Sequence, residues 1–301
     1  MTDTSPSYLK LSISELRERA SEAKKRLASC ILCPWKCQVD RLQGDLGRCR
    51  VPANPVVSSY SAHFGEEPQL VGYFGSGTIF FTHCNLECFF CQNWEISHGG
   101  EGQEIGTDTL AALMINLQER KCHNINLVTP TPHVAAILEA LPLAVEKGLH
   151  IPLVYNSGGY ESPETLKLLE GIVDIYMPDF KYWDPETAHR CSGPEDYPER
   201  AREALREMQR QVGDLKTDDK KIAYRGLLVR HLVLPDNLAG TEEVVHFLAR
   251  EVSPRCSINI MGQYHPAYKA HLHPPLDRIL KRAELREAKK IAARAGLQPV
   301  R

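Results

Sequence analysis

The 301-residue sequence predicts an α/β protein, an incomplete (β/α)6 barrel of the TIM type with a small cysteine-rich N-terminal segment. Three observations lead there. Six short apolar runs rich in β-branched residues follow Ser61, helix-like segments separate them, and the stretch from Cys30 to Pro55 is broken by glycine and proline and carries four cysteines. Alternating strand and helix signals ask for parallel strands joined by helical crossovers, and six repeats fall short of a closed eight-stranded barrel. A doubly wound sheet satisfies the same alternation.

In chain order, Ser12 and Glu15 form a capping-box signal, and Leu16, Ala20, Ala23 and Leu27 follow at helical spacing, so residues 12–28 read as an amphipathic helix. From Cys30 to Pro55 apolar content is too low for a core, and such a segment needs a staple such as a metal. The six strand-like runs are Thr78 to Thr82, Ile125 to Thr129, Ile151 to Tyr155, Ile172 to Met177, Leu227 to Leu234 and Ile258 to Met261. Helix signals lie between them at Thr109 to Arg120, Pro132 to Glu139, Pro163 to Glu170, Pro198 to Val212 and Glu242 to Arg250. Gly75-Ser76-Gly77 reads as a turn, residues 213–221 as a solvated loop, and residues 282–295 as a charged helical tail. The expected organisation is 1–62 helix and cysteine-rich segment, 63–273 partial barrel, and 274–301 C-terminal helical tail.

A net charge of -2, with a quarter of residues charged, gives no bulk attraction for nucleic acid, and no apolar run approaches membrane-spanning length. The expectation is a cytoplasmic protein without nucleic-acid or membrane partners. In that compartment thiols stay reduced, so ten cysteines point to metal or catalysis rather than disulfides.

Cys84, Cys88 and Cys91 stand at Cys-x3-Cys-x2-Cys directly after the first run. Random placement gives this pattern about once in a hundred such chains. Three thiolates on one loop hold three irons of a cubane and leave the fourth iron open, whereas a pure electron carrier takes four. A zinc site borrowing His83 and three buried thiols are the alternatives. The spacing, with aromatic Phe90 before the last cysteine, resembles the radical S-adenosylmethionine superfamily. That resemblance implies a [4Fe-4S] cluster on the three cysteines, S-adenosyl-L-methionine bound at the open iron, and reductive cleavage to a 5'-deoxyadenosyl radical, with Phe90 near the adenine.

Strand periodicity puts Met177, Asp179 and Lys181 on one side of the fourth run's C-terminal end, where barrel ligands bind. An internal Asp179-Lys181 ion pair is the plainer reading. The Met-x-Asp-x-Lys pattern resembles the pyruvate formate-lyase activating enzymes, which implies contact with the nucleoside or a monovalent cation. By the same resemblance Asn156 and Ser157 correspond to a cation-binding turn, with Asn156 replacing a carboxylate, and Arg230 and the His265 of Tyr264-His265 approach the nucleoside. One departure stands out: where that family grips the methionyl amine with a Gly-Gly-Glu motif, this chain has Val128-Thr129-Pro130-Thr131-Pro132-His133.

Cys30-x2-Cys33-x3-Cys37-x11-Cys49 completes a ligand set for either zinc or a second [4Fe-4S] cluster. Together with Phe64-Gly65-Glu66-Glu67-Pro68, it resembles an activase branch with a cysteine-rich N-terminus. This implies a radical enzyme reduced by flavodoxin or ferredoxin, acting on a glycyl-radical protein. A peptide or small-metabolite modification enzyme and a noncatalytic electron carrier remain the other readings.

Overall fold

The structure is a computed structural model that describes residues 4–300. Among these residues ten strands form one sheet: β1 Val56–His63, β2 Ser76–Phe81, β3 Gln103–Glu104, β4 Ile125–Val128, β5 Leu153–Ser157, β6 Ile175–Pro178, β7 Lys216–Thr217, β8 Ala223–Leu232, β9 Ser257–Met261 and β10 Gln298–Pro299. Their order is β10-β9-β8-β6-β5-β4-β2-β1-β3, with β7 beside β8. The six expected runs are the six strands β2, β4, β5, β6, β8 and β9, all parallel neighbours. These six lie in unbroken chain order, without the reversal a doubly wound sheet requires, and the sheet does not close, so the partial barrel holds and the doubly wound alternative falls away.

Among the described residues ten α-helices accompany the sheet: α1 Ile13–Lys25, α2 Pro68–Val71, α3 Trp94–Ser97, α4 Thr107–Glu119, α5 Val134–Glu146, α6 Pro163–Leu168, α7 Pro185–Ser192, α8 Tyr197–Val212, α9 Thr241–Phe247 and α10 Arg282–Arg294. The first forms where the capping box placed it. Ser12 Oγ accepts from Glu15 N, and Glu15 accepts back from Ser12 N at 2.8 Å. Its buried stripe of Leu16, Ala20 and Ala23 packs on α5. None of the described helices is long and apolar enough to cross a membrane.

Period-two alternation sorts the parallel strands into two faces. Val154, Ile175, Met177 and Leu228 form the inner layer, joined by Leu70 from α2 and by Ala223. Their neighbours Tyr155, Tyr176, Leu227 and Val229 belong to the larger core packed with the helices. The chain segment holding α2 therefore plugs the open barrel. Asn124 Nδ2 donates to the Leu70 carbonyl, and Asn259 Nδ2 to Glu67, each at 2.9 Å.

Three sequence expectations are corrected. Ser76 and Gly77 open β2 rather than closing a turn, because Gly77 N bonds Asn124 O at 3.0 Å, and a Cβ on Gly77 would stand 2.6 Å from that oxygen. The loop 213–221 contains β7, which is exposed but antiparallel to β8, and the C-terminal tail ends in β10, parallel to β9. An unexpected strand, β1, runs antiparallel to β2. Its serines and half-buried positions mute the alternation that marks a strand.

Candidate active site

The C-terminal ends of the parallel strands enclose a cavity of ≈ 150 Å³, lined by Cys84, Cys88 and Cys91 on one side and by Thr129, Asn156, Ser157, Asp179, Lys181 and Arg230 on the other. A second cavity of ≈ 220 Å³ shares Cys88, Cys91, Asp179, Lys181 and Arg230 and adds Phe90, Gln92, Leu232, Met261 and Gln263.

The cysteine loop is built by backbone bonds to a distant helix. Glu87 N and Phe89 N donate to the carbonyls of Ser192 and Cys191 at the end of α7, at 3.0 and 3.1 Å, and Lys269 N donates to Phe89 O. His83, at the turn from β2 into the loop, takes a left-handed φ of 62°, a conformation that costs free energy in a non-glycine residue and gathers at functional sites. Each sulfur has a hydrogen-bond partner. Leu86 N reaches Cys84 Sγ at 3.4 Å, Ser97 Oγ donates to Cys91 Sγ at 3.1 Å, and Cys88 Sγ lies 2.9 Å from Ser192 Oγ, itself 2.7 Å from the Tyr182 hydroxyl. Burial pushes the Cys84 thiol well up, with Cys88 next in effect, and burial likewise raises Cys88 although Lys181 opposes it. Metal loading must therefore displace protons from buried thiols.

Opposite the sulfurs lies a charged network. Asp179 accepts from Lys181 Nζ at 2.6 Å and from Arg230 Nε at 2.9 Å, while Arg230 Nη2 donates to Asn156 Oδ1 at 2.7 Å. Glu66, from the plug segment, stands 3.8 Å from Arg230 Nη1. Burial alone would raise the Asp179 carboxyl, but Arg230 and Lys181 outweigh it and hold it below the usual carboxylate range. For Lys181 burial also works against the charge, and Asp179 overcomes it. The Asp179-Lys181 ion pair is present, and both partners face the cavity.

Two expected residues stand elsewhere. Met177 shares the inner side with Asp179, yet it is wholly buried in the apolar layer beneath and lines neither cavity. Periodicity assigns a side, not a depth. His265 is exposed and also lines neither cavity; its Nδ1 lies 3.2 Å from Nε2 of Gln92, a residue of the second cavity's wall. Phe90 is buried, edge-on to Tyr182 and Tyr264.

Ser192, Tyr182 and Tyr197 escaped the sequence reading, and Glu66 was read only as part of a motif, without a place in the site. Tyr197 accepts from Lys181 N at 2.9 Å, and its hydroxyl stands 3.0 Å from the carbonyls of Gly158 and Asp179. The segment that replaces the Gly-Gly-Glu motif is tightly tied: Thr129 takes a φ of 60°, His133 Nε2 lies 2.9 Å from Thr82 O, and Thr131 Oγ1 donates to buried Glu161 at 2.6 Å. Burial holds His133 neutral, down to about 3.

Residues 78–218 match the family model described as the radical SAM superfamily. Nearly the whole chain is similar to the uncharacterized protein MJ0674 of Methanocaldococcus jannaschii, at 32% identity over 299 residues that span 96% of this chain and 81% of that one. Residues 78–218 thus form a radical SAM superfamily domain. Among solved structures, its fold is similar to Streptococcus suis SuiB bound to precursor peptide SuiA, at 12% identity and a TM-score of 0.50, covering 72% of this chain and 46% of that one. SuiB alone gives 13% and 0.48 over the same shares. The chain thus spans about half the length of these structures.

That domain implies a [4Fe-4S] cluster and S-adenosylmethionine as cofactors. The donor set fits: three thiols with hydrogen-bond partners at every sulfur suit an iron-sulfur cluster, and the facing anion and cations suit a zwitterionic ligand.

Proposed function

We propose that this chain is a radical SAM enzyme whose Cys84, Cys88 and Cys91 hold the [4Fe-4S] cluster, and which abstracts hydrogen from a polypeptide substrate. The observation that carries this is the placement of three hydrogen-bonded sulfurs across one cavity from Asp179, Lys181 and Arg230. With its two cofactors bound, such a site supplies reductive cleavage of S-adenosylmethionine to methionine and a 5'-deoxyadenosyl radical. The residues of the chain orient and enclose that reaction. Lys181 offers a cation to the methionyl carboxylate and Asp179 an anion to its amine, while Asn156 and Ser157 offer hydrogen bonds beside them. Phe90 presents an apolar wall to the adenine, and Tyr197 fixes the Lys181 backbone.

Two kinds of polypeptide substrate fit. The Met-x-Asp-x-Lys pattern favours the backbone glycine of a glycyl-radical protein, and similarity in fold to SuiB bound to precursor peptide SuiA favours a peptide to be modified. The electron donor is a flavodoxin or ferredoxin. Anaerobic reconstitution with S-adenosylmethionine and dithionite should yield 5'-deoxyadenosine, and Cys88→Ala should abolish it. An intact cluster that yields none would sink the reading. Electron paramagnetic resonance of a candidate glycyl-radical protein after incubation separates the two substrates: a glycyl radical supports activation, and a mass change in a peptide without one supports modification.

A further inference from the structure

We propose that Cys30, Cys33, Cys37 and Cys49 hold a second [4Fe-4S] cluster, seated against the loop of the first and passing single electrons to it. The backbone gathers these thiols. Cys30 N donates to Val39 O at 2.9 Å and Gln38 N to Cys30 O at 3.0 Å, which lays Cys30 beside Cys37. Arg48 N then reaches Cys37 Sγ at 3.5 Å, bringing Cys49 across, and Cys33 lies within electrostatic reach of Cys49, Cys30 and Cys37. The packing admits little variation: a Cβ on Gly47 would stand 3.1 Å from Cys37 Sγ.

A buried cation marks the site as one for an anion. Arg41 is 3% exposed, its Nη1 lies 3.8 Å from Cys30 Sγ, its Nη2 donates to Pro52 O, and its Nε has no partner. No carboxylate among the described residues pairs with it. A buried guanidinium requires negative charge nearby. Neutral thiols supply none, whereas a cluster held by four thiolates carries net negative charge.

Zinc would meet the same charge requirement with each sulfur about 2.3 Å from one metal, so metal analysis is what separates it from a cluster, and docking on the first cluster's loop is what favours a redox group here.

The knot is docked on the first cluster's loop. Trp35, two residues from Cys33, donates its indole N–H to the carbonyl of Asn85 at 2.7 Å, next to Cys84. Arg48 stacks on that indole at 3.9 Å and pairs with Glu87, next to Cys88, at 2.7 Å. One indole and one peptide thus join the two cysteine sets. In the relay, a flavodoxin- or ferredoxin-type donor gives one electron to the second cluster, which returns to its oxidised state by giving that electron to the first. No bond forms or breaks. Only this destination rests on the radical reading; the site itself does not.

Iron and sulfide analysis of the anaerobically reconstituted full chain should find about eight of each per chain, and about four should remain when Cys84, Cys88 and Cys91 are all replaced by Ala. Four irons in the full chain, or zinc as the metal retained by that variant, would overturn the second cluster. Because the first measurement needs no variant, misfolding cannot rescue the idea. In Cys30→Ala/Cys33→Ala, the ratio of flavodoxin-driven to dithionite-driven 5'-deoxyadenosine formation should fall at least tenfold; an unchanged ratio would overturn the relay. Eight irons without 5'-deoxyadenosine would remove the radical reading and leave the site standing.

Discussion

Glu161 is a carboxylate with no solvent contact, held by Thr131 at 2.6 Å and Tyr155 at 3.1 Å. Burial raises it from 4.5 to about 7, against the opposing pull of its hydrogen bonds. The folded state therefore binds this proton more tightly than the unfolded state does. Its contribution to stability is complete below about 4.5 and is lost as pH rises through about 7, roughly 3 kcal/mol in all. In Glu161→Gln that part of the pH dependence should vanish, so urea midpoints of the metal-free variant should fall less between these limits than those of the parent. Equal slopes would show that the carboxyl is ionised throughout. Asp179 has the opposite sign. Its lowered carboxyl stabilises the fold at neutral pH and loses that effect as pH falls below the ordinary carboxylate range. Asp179→Asn leaves Lys181 and Arg230 facing each other without their shared anion, and should cost about 3–5 kcal/mol in denaturant unfolding. At this scale legibility followed distance along the chain. Three cysteines within eight residues and an alternating Asp179 and Lys181 could be read locally. Ser192 could not, since its contact with Cys88 spans 104 residues.

At the scale of elements, the six parallel strands were legible because each carries a short, mostly buried apolar stretch, continuous in β6 and interrupted by polar residues in β4, β8 and β9. Among the less visible elements, β1 is half-polar and α2 is a four-residue helix whose value lies in plugging an open barrel, a role that exists only once the strands are assembled. The first helix is the clearest case of local and tertiary signals agreeing. Its cap is reciprocal and exposed, and its buried stripe meets α5. Replacing Ser12 with Ala removes one acceptor for a helix N–H and should cost about 1 kcal/mol. Replacing fully buried Leu16 with Ala should cost about 2–5 kcal/mol, because the site opens a cavity against α5. Urea unfolding that ranks the cap above the core would mean α1 stands without α5.

For the whole molecule the question is whether the cysteine-rich segment folds with the barrel. On its own it buries too few apolar side chains to hold itself together, so without metal it depends on its docking to the barrel. Its anchor is a small set of contacts at Trp35: the bond to Asn85 O, the stacked Arg48, and an edge contact with Tyr160 at 5.8 Å. Asn85 in turn donates to the Tyr160 carbonyl at 2.7 Å, so one residue of the active-site loop is gripped from both sides. In the metal-free chain, labelling of the buried Cys33 thiol and loss of far-ultraviolet circular dichroism should share one urea midpoint, because the knot opens only when the barrel does. Trp35→Ala removes the anchor at a cost of about 2–4 kcal/mol, and that loss falls on the knot first. In this variant Cys33 should label well below the barrel's midpoint, whereas Trp35→Phe, which keeps the ring and loses only a hydrogen bond of about 1 kcal/mol, should keep the two nearly together. If Cys33 of the parent chain labels in water without denaturant, the knot is already open in the absence of metal, and its docking on the active-site loop depends on the metal rather than on Trp35.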